Sequence, residues 1–201
     1  RLNRVDIFDG VEAYKCSGTP ADCIKIAKHH VLHDRRPDLV VSGINHGSNS
    51  SVNVIYSGTM SAAIEAAMEG LPAIGFSLDE FGEDADFSHC LDYVYSIAKN
   101  ILENPQKPGV ALNVNFPIKK DEAIKGIKIC RQANAKWDEE FEEREDPYKG
   151  KYYWMAGDFK NLDQKPEETD VEAVRTNYVS IVPCKYDLTD YDELDKLKKI
   201  F

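Results

Sequence analysis

Leu39-Val40-Val41-Ser42-Gly43-Ile44-Asn45-His46-Gly47-Ser48-Asn49, followed by Tyr56-Ser57-Gly58-Thr59 and an alanine-rich run to Gly70, is the stretch that decides the fold. Residues 39–44 are apolar on both faces, the pattern of a parallel strand buried between two helical layers. The strand runs out into Gly, Ser and Asn, which favour turns. A helix over 57–69 follows and Gly70 stops it. This order brings backbone N–H groups, hydroxyls and side-chain amides to one point beside a helix N-terminus. Such a point suits an anion, above all a phosphate.

Working outward, residues 11–16 read as a strand and Ser17-Gly18-Thr19-Pro20 as a turn. Thr19 is the expected N-cap, Pro20 fits the first helical position and Asp22 closes a capping box. The helix runs to about residue 33, with Cys23, Ile24, Ala27 and Val31 as its apolar stripe. Downstream lie a strand over 73–78, an amphipathic helix over 87–103 and a strand over 110–116 closed by Pro117. Alternating strands and helices predict an α/β fold with a Rossmann-like, doubly wound core, whose ligands bind outside the carboxyl ends of the strands. The loop over 45–56 is at such an end.

The pattern changes at residue 118. Residues 126–131 and 151–155 read as antiparallel strands with aromatic alternation, separated by an acidic segment over 137–148. A strand over 178–182 and a helix over 190–201 follow. The expected organisation is a single domain, 1–201, with an α/β core over 1–117 and a β-rich extension with a terminal helix over 118–201. Exposed hairpins bearing Tyr and Trp suit contacts between subunits, so the extension is read as an oligomerisation arm. Arg1-Leu2-Asn3-Arg4-Val5 shows no element start and no initiator Met, so further βα units are expected upstream.

With 42% hydrophobic residues among 201, the chain can bury an ordinary core. A net charge of −10 argues against binding a nucleic-acid polymer. There is no bilayer-spanning apolar run and no signal-peptide pattern. Cys16, Cys23, Cys90, Cys130 and Cys184 form no CxxC pair, as in a reduced, cytoplasmic chain.

Asn45 sits just past the strand, where its side-chain oxygen could ligate Mg²⁺ or Mn²⁺ or simply shape a turn. Asn49, Ser57, Gly58 and Thr59 are the phosphate candidates. Gly58 permits close approach of a ligand to the backbone. Ser57 or Thr59 would also serve as a helix cap, and cap and ligand roles are compatible. Neither Walker nor dinucleotide glycine spacing is present. His29, His30 and His33 lie where imidazolium complements a helix C-terminus, and no third ligand at zinc spacing follows. The run Asp138, Glu139, Glu140, Glu142, Glu143, Glu145, Asp146 is read as a solvated surface.

Val40-Val41-Ser42-Gly43-Ile44-Asn45-x-Gly47-x-Asn49 with Tyr56-Ser57-Gly58-Thr59 resembles the survival protein E (SurE) family. Gly18-Thr19-Pro20-x-Asp22-Cys23, Leu112-Asn113-Val114-Asn115-Phe116-Pro117, Asp146-Pro147-Tyr148, Tyr152-Tyr153-Trp154, Thr169-Asp170, Tyr178-Val179-Ser180-Ile181 and Asp187-Leu188-Thr189 continue the likeness in order. The resemblance implies a metal-dependent phosphatase acting on nucleoside 5′- or 3′-monophosphates, in some members also on short polyphosphate, that assembles as a homodimer or homotetramer. It implies one divalent metal, with Asn45 as a ligand, and a phosphate site at Asn49, Ser57, Gly58 and Thr59. The family's metal-binding Asp pair would lie upstream of Arg1, and no catalytic residue is visible within the chain. The alternatives are a noncatalytic nucleotide- or phosphate-binding module, including a pseudoenzyme lacking that pair, and a purely structural oligomer. Tyr191 stands where the family often has His.

Overall fold

A computed structural model describes residues 1–33 and 35–201. Two short strands, β1 (Leu2–Val5) and β2 (Ala13–Cys16), pair antiparallel as a sheet of their own, from Leu2 opposite Cys16 to Val5 opposite Ala13. The strand expected over 11–16 is therefore present but lies outside the main sheet, and residues 2–5, read as having no element, are its partner. Helix α1 (Pro20–Ile26) starts as predicted: the Thr19 hydroxyl accepts from the Asp22 N–H and the Asp22 carboxylate accepts from the Thr19 N–H at 2.9 Å. A π-helical turn over Ala27–Val31 extends it.

The central sheet contains β3 (Val40–His46), β4 (Ala73–Leu78), β5 (Val110–Phe116), β6 (Ile127–Ile129) and β9 (Val179–Lys185), in the order β3-β4-β5-β9-β6. The first three are mutually parallel, β9 runs antiparallel to β5, and β6 runs parallel to β9. The sheet is mixed, and two of its strands come from beyond residue 118. Between β3 and β4 lie the single turn α2 (Asn53–Tyr56) and helix α3 (Gly58–Met68). Between β4 and β5 lies α4 (Leu91–Glu103).

Every residue of β4 and β5 is buried, as expected for strands covered on both faces. The two faces carry different chemistry. Ile74, Phe76 and Leu78 of β4, with Leu112, Val114 and Phe116 of β5, form the larger core under Ile97 of α4. On the other face Ala73 and Ala111 meet Met60, Ala63, Ala66 and Ala67 of α3. Small residues there let α3 lie close to the sheet. A Cβ on Gly75 would meet Met60 Sδ at 2.5 Å.

The acidic segment, read as a solvated surface between strands and given no element of its own, forms a long strand, β7 (Ala135–Glu145), paired antiparallel with β8 (Lys151–Asn161), whereas β6, the strand expected over 126–131, joins the central sheet beside β9. Its charge is offset across the hairpin: Lys160 pairs with Asp138, Lys151 with Glu143 at 2.7 Å, and Arg144 lies over the Trp154 ring at 5.2 Å. Helix α5 (Asp170–Arg175) precedes β9, and α6 (Tyr191–Leu197) is the terminal helix.

The α5 start fastens the hairpin base to the loop after β3. Asp170 is fully buried, and its carboxylate accepts from the N–H groups of Ser51 at 2.8 Å, Ala133 at 2.9 Å and Val171 at 2.9 Å. The Ser51 hydroxyl donates to Ala133 O at 2.8 Å and accepts from Ala135 N–H at 3.1 Å. Ser51 has φ +56, a left-handed conformation that a serine adopts at a cost, so these bonds hold a strained residue. Burial pushes the Asp170 carboxyl up from its ordinary value, and the backbone N–H donors oppose that shift. Removing the carboxylate leaves three N–H groups short of an acceptor. Asp170→Ala is therefore expected to lower unfolding stability on the order of 3–5 kcal/mol, and Asp170→Asn by less. Urea denaturation followed by circular dichroism checks both.

Candidate phosphate site

At residue 43 the backbone of β3 turns sharply. Gly43 has φ +108, and a Cβ there would sit 2.3 Å from Phe76 O. Only glycine fits so close to β4 in that conformation. The pairing with β4 slips between Ser42 and Asn45 and then resumes, placing Asn45 opposite Ser77. Ser77 lies opposite Asn115 of β5, and Asn115 opposite Ser180 of β9. A polar row thus crosses the sheet near the carboxyl ends of its parallel strands.

That row holds the loop after β3. The Asn49 N–H donates to Asn115 Oδ1 at 2.7 Å, Asn113 Nδ2 donates to Asn49 O at 2.9 Å, and Asn115 Nδ2 donates to Asn113 Oδ1 at 3.1 Å. Asn49 Nδ2 donates to Ser77 Oγ at 2.5 Å. Asn49, Ser77, Asn113 and Asn115 are all buried. Buried amides joined in this way specify one loop geometry, because each broken link strands a polar group away from water.

Asn45, Asn49, Ser57 and Gly58 line one shallow pocket of about 250 Å³, with Tyr56 and Phe81 at its sides. Thr59 is half-buried in the first turn of α3 and does not line it. Its Cγ2 is 3.6 Å from the position of a Cβ on Gly75. Asn45 Nδ2 donates to Gly47 O at 2.9 Å, so the amide shapes the turn, while its Oδ1 has no hydrogen-bond partner among the described residues. The turn and ligand readings of Asn45 are thus compatible. Ser57 caps α3, its hydroxyl oxygen accepting from Met60 N–H at 3.0 Å. An accepting hydroxyl keeps its own proton to donate, and the Gly58 and Thr59 N–H groups have no acceptor among the described residues. Asn49 lines the pocket, and its Oδ1 has no hydrogen-bond partner among the described residues. The Ser77 hydroxyl donates as well as accepts, so either amide orientation satisfies that bond.

The residues missed in the sequence come from neighbouring elements. Asp79 follows β4 directly, its N–H donating to Phe116 O at 2.9 Å. Burial pushes its carboxyl up to about 6, against a smaller opposing pull from Lys120. The rule that ligands gather at strand carboxyl ends was the available signal for Asp79. Ser77, Asn113 and Asn115 carried no local signal, since strand register alone assembles them.

No group of three or more His, Cys, Asp or Glu side chains that could hold a metal is found among the described residues. His29 and His30 lie on the turn that extends α1. Asn45 fits a hard cation in kind, as a neutral oxygen ligand, but no carboxylate lines its pocket to supply charge.

Residues 1–139 match the family model described as Survival protein SurE. A curated relative named 5'-nucleotidase SurE, from Cytophaga hutchinsonii, is 60% identical over 199 residues, covering 99% of this chain and 76% of its own length. Another of that name, from Christiangramia forsetii, is 58% identical over 176 residues, covering 88% of this chain and 67% of its own. The crystal structure of SurE protein from Aquifex aeolicus superposes with a TM-score of 0.82 at 36% identity, covering 100% of this chain and 79% of the other.

Two outcomes are expected. Asn115→Ala removes that side chain's three hydrogen bonds, to the Ser48 hydroxyl, the Asn49 N–H and Asn113 Oδ1, and should cost about 1–3 kcal/mol, with faster hydrogen exchange over 47–51 than in the wild type. Asp79 has a folded value near 6, above its ordinary value near 4, so the fold favours its neutral form. The associated stability is complete below about pH 4 and is lost as pH rises through about 6. Asp79→Asn should therefore raise the Tm near pH 8 relative to the wild type and leave it unchanged near pH 3.5, as read by scanning calorimetry.

Proposed function

This chain belongs to the SurE family, and from that premise we propose that it hydrolyses nucleoside 5′-monophosphates to nucleoside and inorganic phosphate. The observation that carries the reading is the convergence of Asn45, Asn49, Ser57 and Gly58 on one pocket at the α3 N-terminus. Relatives that match nearly the whole chain bear the name 5'-nucleotidase, which supports the same substrate. The proposal extends to nucleoside 3′-monophosphates and short polyphosphate, which present the same terminal phosphate.

In this reading the Gly58 and Thr59 N–H groups and the Ser57 hydroxyl bind nonbridging phosphate oxygens, and the positive end of α3 adds to their field. The same donors stabilise the charge that develops on those oxygens as the ester bond breaks. Asn49 orients a further oxygen. Asn45 would hold one divalent metal, Mg²⁺ or Mn²⁺, which supplies Lewis acidity and a bound water of lowered pKa. The carboxylates that charge such a metal are proposed to lie outside residues 1–201. The exposed β7–β8 hairpin is proposed as the contact through which copies assemble into dimers or tetramers. A cytoplasmic setting agrees with the five free cysteines, and no helix of the described residues is long and apolar enough to cross a membrane.

The test is phosphate release from AMP by the full-length protein with Mg²⁺ or Mn²⁺. Turnover that a chelator abolishes is expected. Ser57→Ala should lower kcat about 100-fold and stability by about 1 kcal/mol, through loss of a charge-stabilising donor and of the cap. Absence of release from every nucleoside monophosphate would overturn the reading, and binding without release would mark a noncatalytic nucleotide module.

A further inference from the structure

A second pocket, of about 310 Å³, adjoins the phosphate pocket and shares Ser48, Asn53 and Phe81 with it. Its other walls are unlike the first. Trp137 of β7 and Phe159 of β8 face each other with ring centroids 5.2 Å apart, tilted by 59°. Trp137 Nε1 donates to Asn53 Oδ1 at 3.0 Å, which fixes the indole relative to the loop that carries the phosphate site. The Phe81 ring lies against Gly47: a Cβ on Gly47 would sit 2.3 Å from Phe81 Cε1. Phe81 therefore belongs to both pockets, yet its side chain is largely exposed, at 72%. Asp79 also lines the second pocket, and its carboxylate has no hydrogen-bond partner among the described residues.

An aromatic-walled cavity with one unpaired acceptor, beside a phosphate cradle, has the chemistry of a base pocket. Planar bases stack on aromatic faces, and a carboxylate accepts from an exocyclic amino group but repels a ring carbonyl. Resting on the phosphate-site reading above, we infer that this pocket takes the nucleobase, stacked on Phe81 and Trp137, with Asp79 selecting amino-bearing bases such as adenine over oxo-bases such as hypoxanthine. The hairpin thereby contributes Trp137 and Phe159 to substrate binding, a role separate from any contact between subunits.

Residues 1–201 hold two tryptophans, so in a Trp154→Phe background the Trp137 signal is read as the part of the fluorescence response that Trp137→Phe removes. Adenosine, which lacks phosphate, is expected to change Trp137 fluorescence in a saturable way in the full-length protein. The ratio of kcat/KM for AMP over ribose 5-phosphate should fall roughly tenfold in Phe81→Ala and in Trp137→Ala, the range expected for loss of one base–aromatic stack, and be largely kept in Trp137→Phe. AMP should be preferred over IMP, and Asp79→Asn should bring the two close to parity. No fluorescence change up to millimolar adenosine, or an AMP to ribose 5-phosphate ratio unmoved by either alanine variant, overturns the base pocket. A Trp137 response to adenosine without phosphate release from AMP would sink the catalytic reading and leave the pocket standing. AMP hydrolysis indifferent to these variants would do the reverse.

Discussion

The Asp170 carboxylate is the point on which the rest of the arrangement depends. It joins three segments distant in sequence: the loop after β3 at Ser51, the link into the hairpin at Ala133, and its own helix at Val171. A buried charge is tolerated when fixed N–H dipoles surround it, and here three of them do. Through Ser51 the same tie reaches the start of β7, because the Ser51 hydroxyl bonds both Ala133 O and Ala135 N–H. Loop and hairpin base are thus positioned by one group, and Trp137, two residues into β7 from Ala135, inherits that placement.

The sheet divides its labour by face. The side under α4 is filled with Ile, Phe, Leu and Val and supplies most of the apolar burial. The side under α3 is lined with Ala and Gly where the helix lies close, and with Ser and Asn toward the strand ends, where the loop must be held. One strand therefore carries both tasks in alternate residues. β5 shows this in a single word of sequence, with Leu112, Val114 and Phe116 in the larger core and Asn113 and Asn115 on the loop.

How much of this was legible in the sequence follows from where the information lies. The helix start at Thr19 and the strand–loop–helix over 39–70 are local patterns of capping and apolar periodicity, and these elements form in that order, but β3 is an edge strand with no buried residue, Val41 being 54% exposed, and not the strand covered on both faces that its apolar run suggests. β7 was not legible because its strand character comes from β8: with ten of its eleven residues exposed, it has no apolar alternation to display. β1 was hidden for the same reason, as half of a small hairpin. Asn45, Ser57 and Gly58 could be picked out because a loop and a helix N-terminus announce themselves. Ser77 and the two amides of β5 could not, because only the register of neighbouring strands brings them to the loop, while Asp79 had its place just past the carboxyl end of β4 as its one signal. The fold-level reading was also too uniform, since β9 enters the sheet antiparallel.

The amide row on β4 and β5 contains no ionisable group. Ser77, Asn113, Asn115 and Asn49 keep the same donors and acceptors from acid to alkali, and ionic strength has little hold on neutral dipoles buried from solvent. The hairpin is the opposite case, held in part by exposed ion pairs that salt screens. The scaffold beneath the candidate phosphate pocket is therefore a constant reference against which its surroundings vary. A pH profile measured on this protein reports groups such as Asp79 and the ligand itself, while a salt profile reports the exposed ion pairs, those of the hairpin among them.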